Sequence, residues 1–395
     1  MPNLSADILS VLASLFVSLQ KNMYFCNVKK KLLYEVSIIR PLIIFLLVVY
    51  HSLCVFTGGW SAPAGVPENA AYWWLGRAIS GFRIETIAFV GGYVFCYQCV
   101  ELLKRQRFFQ FVWKKFKRLI IPCFVFGIVY YLLYRFNPSR FSWYVAFWRV
   151  VNGIGHLWFL PMLFWCFLAG WLTDRLLSWL SQYGRGAQLG LAWGLLGALA
   201  VVSMLRITGL KMGLSRAPYF FFYFYLGYFL RFLLRGRQVV FGRGSVVALW
   251  VLYVAFLLLH LQMTKMHLPG LWFDCPKVLR GASLTLIHAL NLGHTTCGIL
   301  ALYGSVSRWL ARHKTSDDQP GVFLRQCSRL CYGVYVLHMF FMQPIYFFSP
   351  FPAWCCGSAL GVWLMPWFVL AVTLLLSVVS TLLLLKTRFG RFLIG

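Results

Sequence analysis

The chain has 395 residues, 61% of them hydrophobic, 19% aromatic and only 12% charged. Soluble domains average about 45–50% apolar and about 25% charged residues, so a soluble globule and a disordered chain are excluded, and 12 Cys spread over this length make no disulfide scaffold. The formal net charge of +28 then reads as the Lys and Arg excess of cytoplasmic loops in a polytopic membrane protein; no aromatic-interleaved polar face carries it, so no nucleic-acid partner is expected.

The apolar runs predict an all-α protein of about ten transmembrane helices, at roughly 38–57, 79–103, 117–135, 157–177, 187–205, 217–235, 245–263, 282–304, 329–348 and 359–385. Residues 1–34 read as a cytoplasmic or interfacial lead-in, with Lys29-Lys30-Lys31 at the membrane face, and 35–395 as one membrane domain. The first span opens on Arg40-Pro41 and carries His51 towards its far end. Glu85 lies at the outer start of the second span, beside Arg83, and Gly91-Gly92-Tyr93 lies within it. Cys96 and Cys99 spell CxxC in the same apolar run and read as small apolar fillers. The most basic loop, 104–118, precedes the third span. His156-Leu157-Trp158 opens the fourth.

Further along, the aromatic run Tyr219–Tyr225 of the sixth span reads as lipid-facing and packing bulk. His260 and His267, near an outer helix end, take no role. His288 and His294, about 240° apart around a helix, do not share a face, and no metal site is expected. The loop at 305–328, with Arg308, Arg312, His313, Lys314, Asp317 and Asp318, reads as a solvated anchor. His338 falls mid-membrane on the ninth span, as a second polar ligand or a packed histidine. With the N-terminus inside, most Lys and Arg fall on inner segments, and ten spans place both termini in the cytoplasm. Arg206, Lys211 and Arg216 fall on an outer connection against that trend.

Eleven helical steps at about 100° make three turns plus about 20°, so Arg40 and His51 share a face about 16 Å apart along the axis. Pro41 suits a first helical turn, which puts Arg40 at the N-terminal boundary, among free N–H groups and the positive end of the helix dipole. An added cation there makes sense if an anion fills the place. Arg40 also fits a snorkelling anchor. The pair together suggests an anion site at the cytoplasmic mouth and an imidazole deeper on one face, lining one cavity. Glu85 matches His51 in depth. It either orients His51 and stabilises its protonated form, or pairs locally with Arg83 or Arg77.

An arginine, ten residues and a histidine on the first helix resemble the membrane acyltransferase 3 family. Four further stretches resemble it in order. They are Gly91-Gly92-Tyr93-Val94-Phe95, with Gly91 where Ser is usual; Lys115-Phe116-Lys117-Arg118 before Pro122, with Lys115 in place of Arg; Gly155-His156-Leu157-Trp158-Phe159-Leu160-Pro161; and Tyr332-Gly333-Val334-Tyr335-Val336-Leu337-His338. The resemblance implies a stand-alone, ten-helix inner-membrane enzyme of bacteria. Such an enzyme moves an acyl group, usually acetyl, from acyl-CoA to a sugar of a surface polysaccharide. It also singles out Lys115 and Arg118, beside Arg40, as ligands of the CoA phosphates. Lysine offers phosphate a point charge where arginine offers a planar fork.

These residues lead to an expected mechanism. Acyl-CoA, acetyl-CoA foremost, docks from the cytoplasm on Arg40, Lys115 and Arg118. His51 acts as general base on a sugar hydroxyl arriving from the outer side, and His156, Trp158 and His338 bind the acceptor, a glycan or lipid-linked sugar. Direct transfer and an acyl-imidazole intermediate both fit. The competing reading is a transporter or flippase of sugar or lipid; the two halves show no convincing internal repeat in its favour.

Overall fold

The computed structural model describes residues 24–27, 33–63, 65–205, 209–234, 237–266, 277–313 and 320–395. Most of the lead-in before residue 33, Arg206, His267 and the stretch at 314–319 lie outside the described residues.

Nine of the described helical segments are long and apolar enough to cross a membrane, and the chain is a multi-pass membrane protein. In a bilayer every backbone group needs an internal partner, which leaves helices as the spanning element here. The helices are α1 (Tyr34–Ser52), α2 (Ala70–Ser80), α3 (Arg83–Cys96), α4 (Phe108–Lys115), α5 (Ile121–Tyr134), α6 (Trp143–Val151), α7 (Phe159–Leu180) and α8 (Arg185–Met204). They continue with α9 (Ala217–Leu234), α10 (Arg243–Met266), α11 (Lys277–His313), α12 (Val322–Phe347), α13 (Phe351–Cys355), α14 (Ala359–Lys386) and α15 (Arg388–Ile394). One short antiparallel ribbon joins β1 (Tyr24–Asn27) to β2 (Arg237–Val240).

Nine of the expected spans coincide with the nine apolar segments. The expected span at 282–304 lies inside α11, a 37-residue helix. Ser283, His288, Asn291, His294, Thr295 and Thr296 lower its mean hydropathy, and the described ones among them that are buried face protein and not lipid. The second span is composite: α2, α3 and a π turn, Tyr97–Glu101, run through one apolar segment, Ala70–Glu101.

The centre of the bundle is the pair α3 and α9. A Cβ on Gly92 would lie 1.7 Å from the carbonyl oxygen of Phe224, and one on Gly227 would lie 2.0 Å from that of Phe89. Two helices meet backbone to backbone there, which only glycine permits. This contact corrects the reading of the aromatic run. Phe220, Phe222, Tyr223, Phe224 and Tyr225 are buried, because the glycine contact draws α9 into the middle of the bundle. The lipid-facing bulk is carried by α14, α10 and α8, for example by Leu360, Leu375, Val251 and Val201.

One turn beyond Gly227, Arg231 ties the seam at the end of the bundle that holds the 104–118 loop. Its guanidinium forms a two-pronged pair with Glu101, donates to the Tyr93 hydroxyl at 3.0 Å and lies 3.9 Å from Glu35. Tyr93 in turn donates to Glu35 at 2.7 Å, and its oxygen is 3.1 Å from the Tyr303 hydroxyl. One buried guanidinium thereby joins α1, α3, α9 and α11. Cys96 and Cys99, between Tyr93 and Glu101, are buried free thiols.

Replacing Arg231 by Met leaves Glu35 and Glu101 without their cation. The expected loss is about 3–5 kcal/mol of stability, read as a lowered unfolding temperature of the detergent-solubilised chain, with only partial recovery in Arg231→Lys.

Candidate active site

Arg40, Lys115 and Arg118 come together. With Gln98 and Arg329 they line a cavity of about 420 Å³ whose remaining wall is mostly apolar. No acidic side chain lines it among the described residues. Arg40 comes from α1, Lys115 ends α4, Arg118 sits in the π turn Phe116–Ile120, and Arg329 comes from α12. Pro122 explains part of this geometry. It has no N–H to give the carbonyl of Arg118 in the α pattern, and the Tyr332 hydroxyl donates to that carbonyl at 2.9 Å. The Lys115 ammonium lies 3.3 Å from the centre of the Phe167 ring, a cation–π contact that holds it at the wall.

Arg40 is not at a helix boundary. α1 begins at Tyr34, so Pro41 lies inside the helix and the free N–H groups expected around Arg40 are absent. The reason is Glu35, whose carboxylate is satisfied by Tyr93 and Arg231 and which holds the first turn of the helix well before Pro41. The positive character of this end therefore comes from the side-chain cations and not from the start of α1.

His51 meets His338 and His156 in a second cluster. His51 Nδ1 is 2.9 Å from His338 Nε2, and with centres 5.0 Å apart and planes 15° from parallel the two rings meet edge to edge about that bond. The proton positions follow from the partners. His338 Nδ1 faces the carbonyls of Tyr335 at 2.7 Å and Val334 at 3.2 Å, both acceptors only, so it carries the proton. In the neutral ring Nε2 is then bare and accepts, and His51 Nδ1 must donate. His51 Nε2 is left with an uncommitted lone pair. The Trp60 ring lies nearly parallel to His51, with centres 5.8 Å apart and planes 11° from parallel.

His156 stands edge-on to His338 at 4.9 Å. Its Nε2 donates to the Val336 carbonyl at 2.8 Å, and its carbonyl accepts from the Tyr335 hydroxyl at 2.6 Å. Its buried Nδ1 has no hydrogen-bond partner among the described residues, and neither has the hydroxyl of Tyr130, whose ring lies 6.0 Å away. α12 thus binds the rest of the site along one stripe: Tyr332 to Arg118, Tyr335 and Val336 to His156, and His338 to His51.

Two expectations change. Arg40 and His51 do not line one continuous cavity. Its lining extends to Ile44, Phe159 and Tyr335, and His51 does not line it. The Phe159 and Tyr335 rings, 6.0 Å apart, stand between the cavity and the histidines. Glu85 does not hydrogen-bond His51. Its Oε1 accepts from the Tyr219 hydroxyl at 3.3 Å, which also accepts from Asn291 at 3.0 Å, and its Oε2 has no partner among the described residues. α3 turns Glu85 towards α9 and α11, whereas His51 turns towards α12.

Trp158 is half-buried, with the Arg216 guanidinium 4.1 Å above its ring, so that face is already covered. His294 reaches His260 across α10 and α11, at 3.2 Å. One residue near the cluster escaped the sequence reading. Arg83 is buried, its guanidinium lies 3.4 Å from the centre of the ring of Tyr50, the residue before His51, and its Nε has no partner among the described residues. The argument that drew attention to Glu85, an ionisable group in an apolar span, applies equally to Arg83.

A family model described as an acyltransferase domain (Acyl_transf_3) matches residues 33–385. The chain belongs to that acyltransferase family. Neither the curated proteins nor the solved structures compared with the chain gave a match.

The proton positions are open to direct measurement. In spectra of the full chain carrying 15N-labelled histidine, both His51 and His338 are expected as neutral rings protonated on Nδ1. Replacing His338 by Leu is expected to release the His51 Nδ1–H and shift its resonance.

Proposed function

We propose that this acyltransferase moves an acyl group, acetyl foremost, from acyl-CoA to a hydroxyl of a surface-glycan sugar, with His51 as the general base. The observation that carries the reading is the bare Nε2 of His51, held by the Nδ1–H bond to His338. Arg40, Lys115 and Arg118, among the four cations of the cavity, fit the phosphates of CoA, and its apolar wall fits the pantetheine arm.

His51 Nε2 takes the proton of the acceptor hydroxyl as its oxygen attacks the thioester carbonyl. The tetrahedral oxyanion collapses, the C–S bond breaks and the CoA thiolate leaves, taking up the proton that His51 gained. While His51 is charged, the lone pair of His338 Nε2 accepts its Nδ1–H and stabilises the imidazolium. Arg83, seated on the ring of Tyr50 next to His51, supplies positive field for the oxyanion. The unpartnered Nδ1 of His156 and hydroxyl of Tyr130 are suited to hydroxyls of the acceptor sugar. For the thioester to reach His51, the Phe159 and Tyr335 side chains must part. In this reading the basic cavity faces the cytoplasm and the histidines face the outer side of a bacterial inner membrane.

Label from radioactive acetyl-CoA is expected on the glycan with the unaltered chain and not with His51→Ala, provided the variant melts like the parent. His338→Leu is expected to lower kcat by about 10²–10⁴-fold with the KM for acetyl-CoA unchanged. Lys115→Ala and Arg118→Ala are each expected to raise that KM. A fully active His51→Ala overturns the mechanism.

A further inference from the structure

A second cavity, of about 540 Å³, opens at the end of the bundle away from the 104–118 loop. Arg135, Arg149, Lys211, Tyr144, Trp148 and Asn152 face it. No acidic side chain lines it among the described residues. The π turn and α5 carry the chain from Arg118 at one end to Arg135 at the other, about 25 Å along the axis. These cations therefore stand on the side where the charge rule does not put them. Retention of positive charge there needs a reason other than topology.

The pocket is built. The connection that carries Lys211 is pinned on both sides of the next residue: the Met212 N–H donates to Asn152 Oδ1 at 2.7 Å, and the Met212 carbonyl accepts from Trp165 at 3.1 Å. Met212 has a φ of 54°, a left-handed conformation unusual for a residue with a side chain, and those two bonds hold it there. The Lys211 ammonium lies 5.7 Å from the centre of the Trp148 ring. Cations beside exposed aromatic faces suit a sugar ring that carries negative charge.

The pocket also adjoins the histidine cluster. Ile154 and Gly155 line it, and His156 is the next residue. Gly155 has a φ of 60°, and a Cβ there would lie 3.2 Å from the Tyr130 ring, whose hydroxyl is unpartnered among the described residues.

We propose that this pocket is the acceptor subsite for an acidic glycan, binding a carboxylate-bearing sugar and directing a neighbouring hydroxyl towards His156 and His51. Arg149 and Lys211 pair with the carboxylate, and Trp148 and Tyr144 contact the sugar faces. The proposal deepens the glycan reading above and rests on it. Its test is a binding measurement without acyl donor, so a failure here leaves the His51 transfer assay standing, and a failure of that assay leaves this result readable.

The full chain in phosphatidylcholine nanodiscs is titrated with tetragalacturonate and with its carboxyl-reduced, neutral counterpart. The acidic oligosaccharide is expected to bind at least tenfold more tightly, and more weakly as salt rises. The Arg149→Gln, Lys211→Gln double variant is expected to lose that preference, while Arg149→Lys with Lys211→Arg keeps most of it and controls for folding. Equal binding of the two oligosaccharides, no binding of the acidic one, or acidic binding unchanged in the double variant overturns the proposal. Nanodiscs containing phosphatidylglycerol give the remaining arm. If that lipid abolishes tetragalacturonate binding, the pocket is a lipid-headgroup site and the proposal falls; undiminished binding supports it.

Discussion

The contact between α3 and α9 is the constraint on which the rest of the bundle depends. Lipid tails are as apolar as leucine, so helices in a membrane gain nothing from hiding greasy surface from each other. They associate by close fit and by polar bonds. Gly92 and Gly227 supply the fit, with each backbone seated on the other helix. Arg231 supplies the polar bonds, one turn further on. The two depend on each other in space: with α9 seated against α3 by the glycine contact, a guanidinium on α9 reaches carboxylates from α1 and from the π turn after α3. Tyr93 lies on the helix of Gly92 and bonds Glu35, so the first helix is located by the same seam.

From that seam the site is assembled by α12. Its hydroxyls and carbonyls satisfy groups that the other helices leave open, including the Arg118 carbonyl that Pro122 cannot serve. The tautomer of His51 is a consequence at the end of this chain. Two carbonyls on α12 fix the proton on His338, His338 fixes the proton on His51, and the lone pair of His51 is left on Nε2. The backbone of one helix thereby sets the chemistry of a side chain on another.

Much of this was legible in the sequence, and the failures have a common cause. Depth in the membrane is written in a sequence, because each helical residue adds a known rise. Azimuth about a helix is written only relative to residues of the same helix. Arg40 was placed at the inner boundary by its position on the first span, the family resemblance set Lys115 and Arg118 beside it, and the three do share a cavity. Glu85 matched the depth of His51 and His338 fell mid-membrane, and nothing local showed that His338 and not Glu85 faces it. Pro41 argued for a helix start on local grounds; Glu35 overrode it through partners on α3 and α9. The aromatic run of α9 looked like lipid-facing bulk because burial by other helices is invisible along one strand of text. α11 carries His294 and Thr295 because neighbouring segments receive them: His260 of α10 meets the imidazole and the Gly81 carbonyl accepts from the hydroxyl.

The rings of Phe159 and Tyr335 separate a water-accessible basic chamber from the imidazoles beyond it. A continuous aqueous bore lined by arginine, lysine and histidine would conduct protons and anions and discharge the gradient that energises the cell membrane. An aromatic wall between the two clusters interrupts such a bore. A multi-pass protein built this way holds two groups of ionisable side chains within a charged membrane while remaining an electrical insulator.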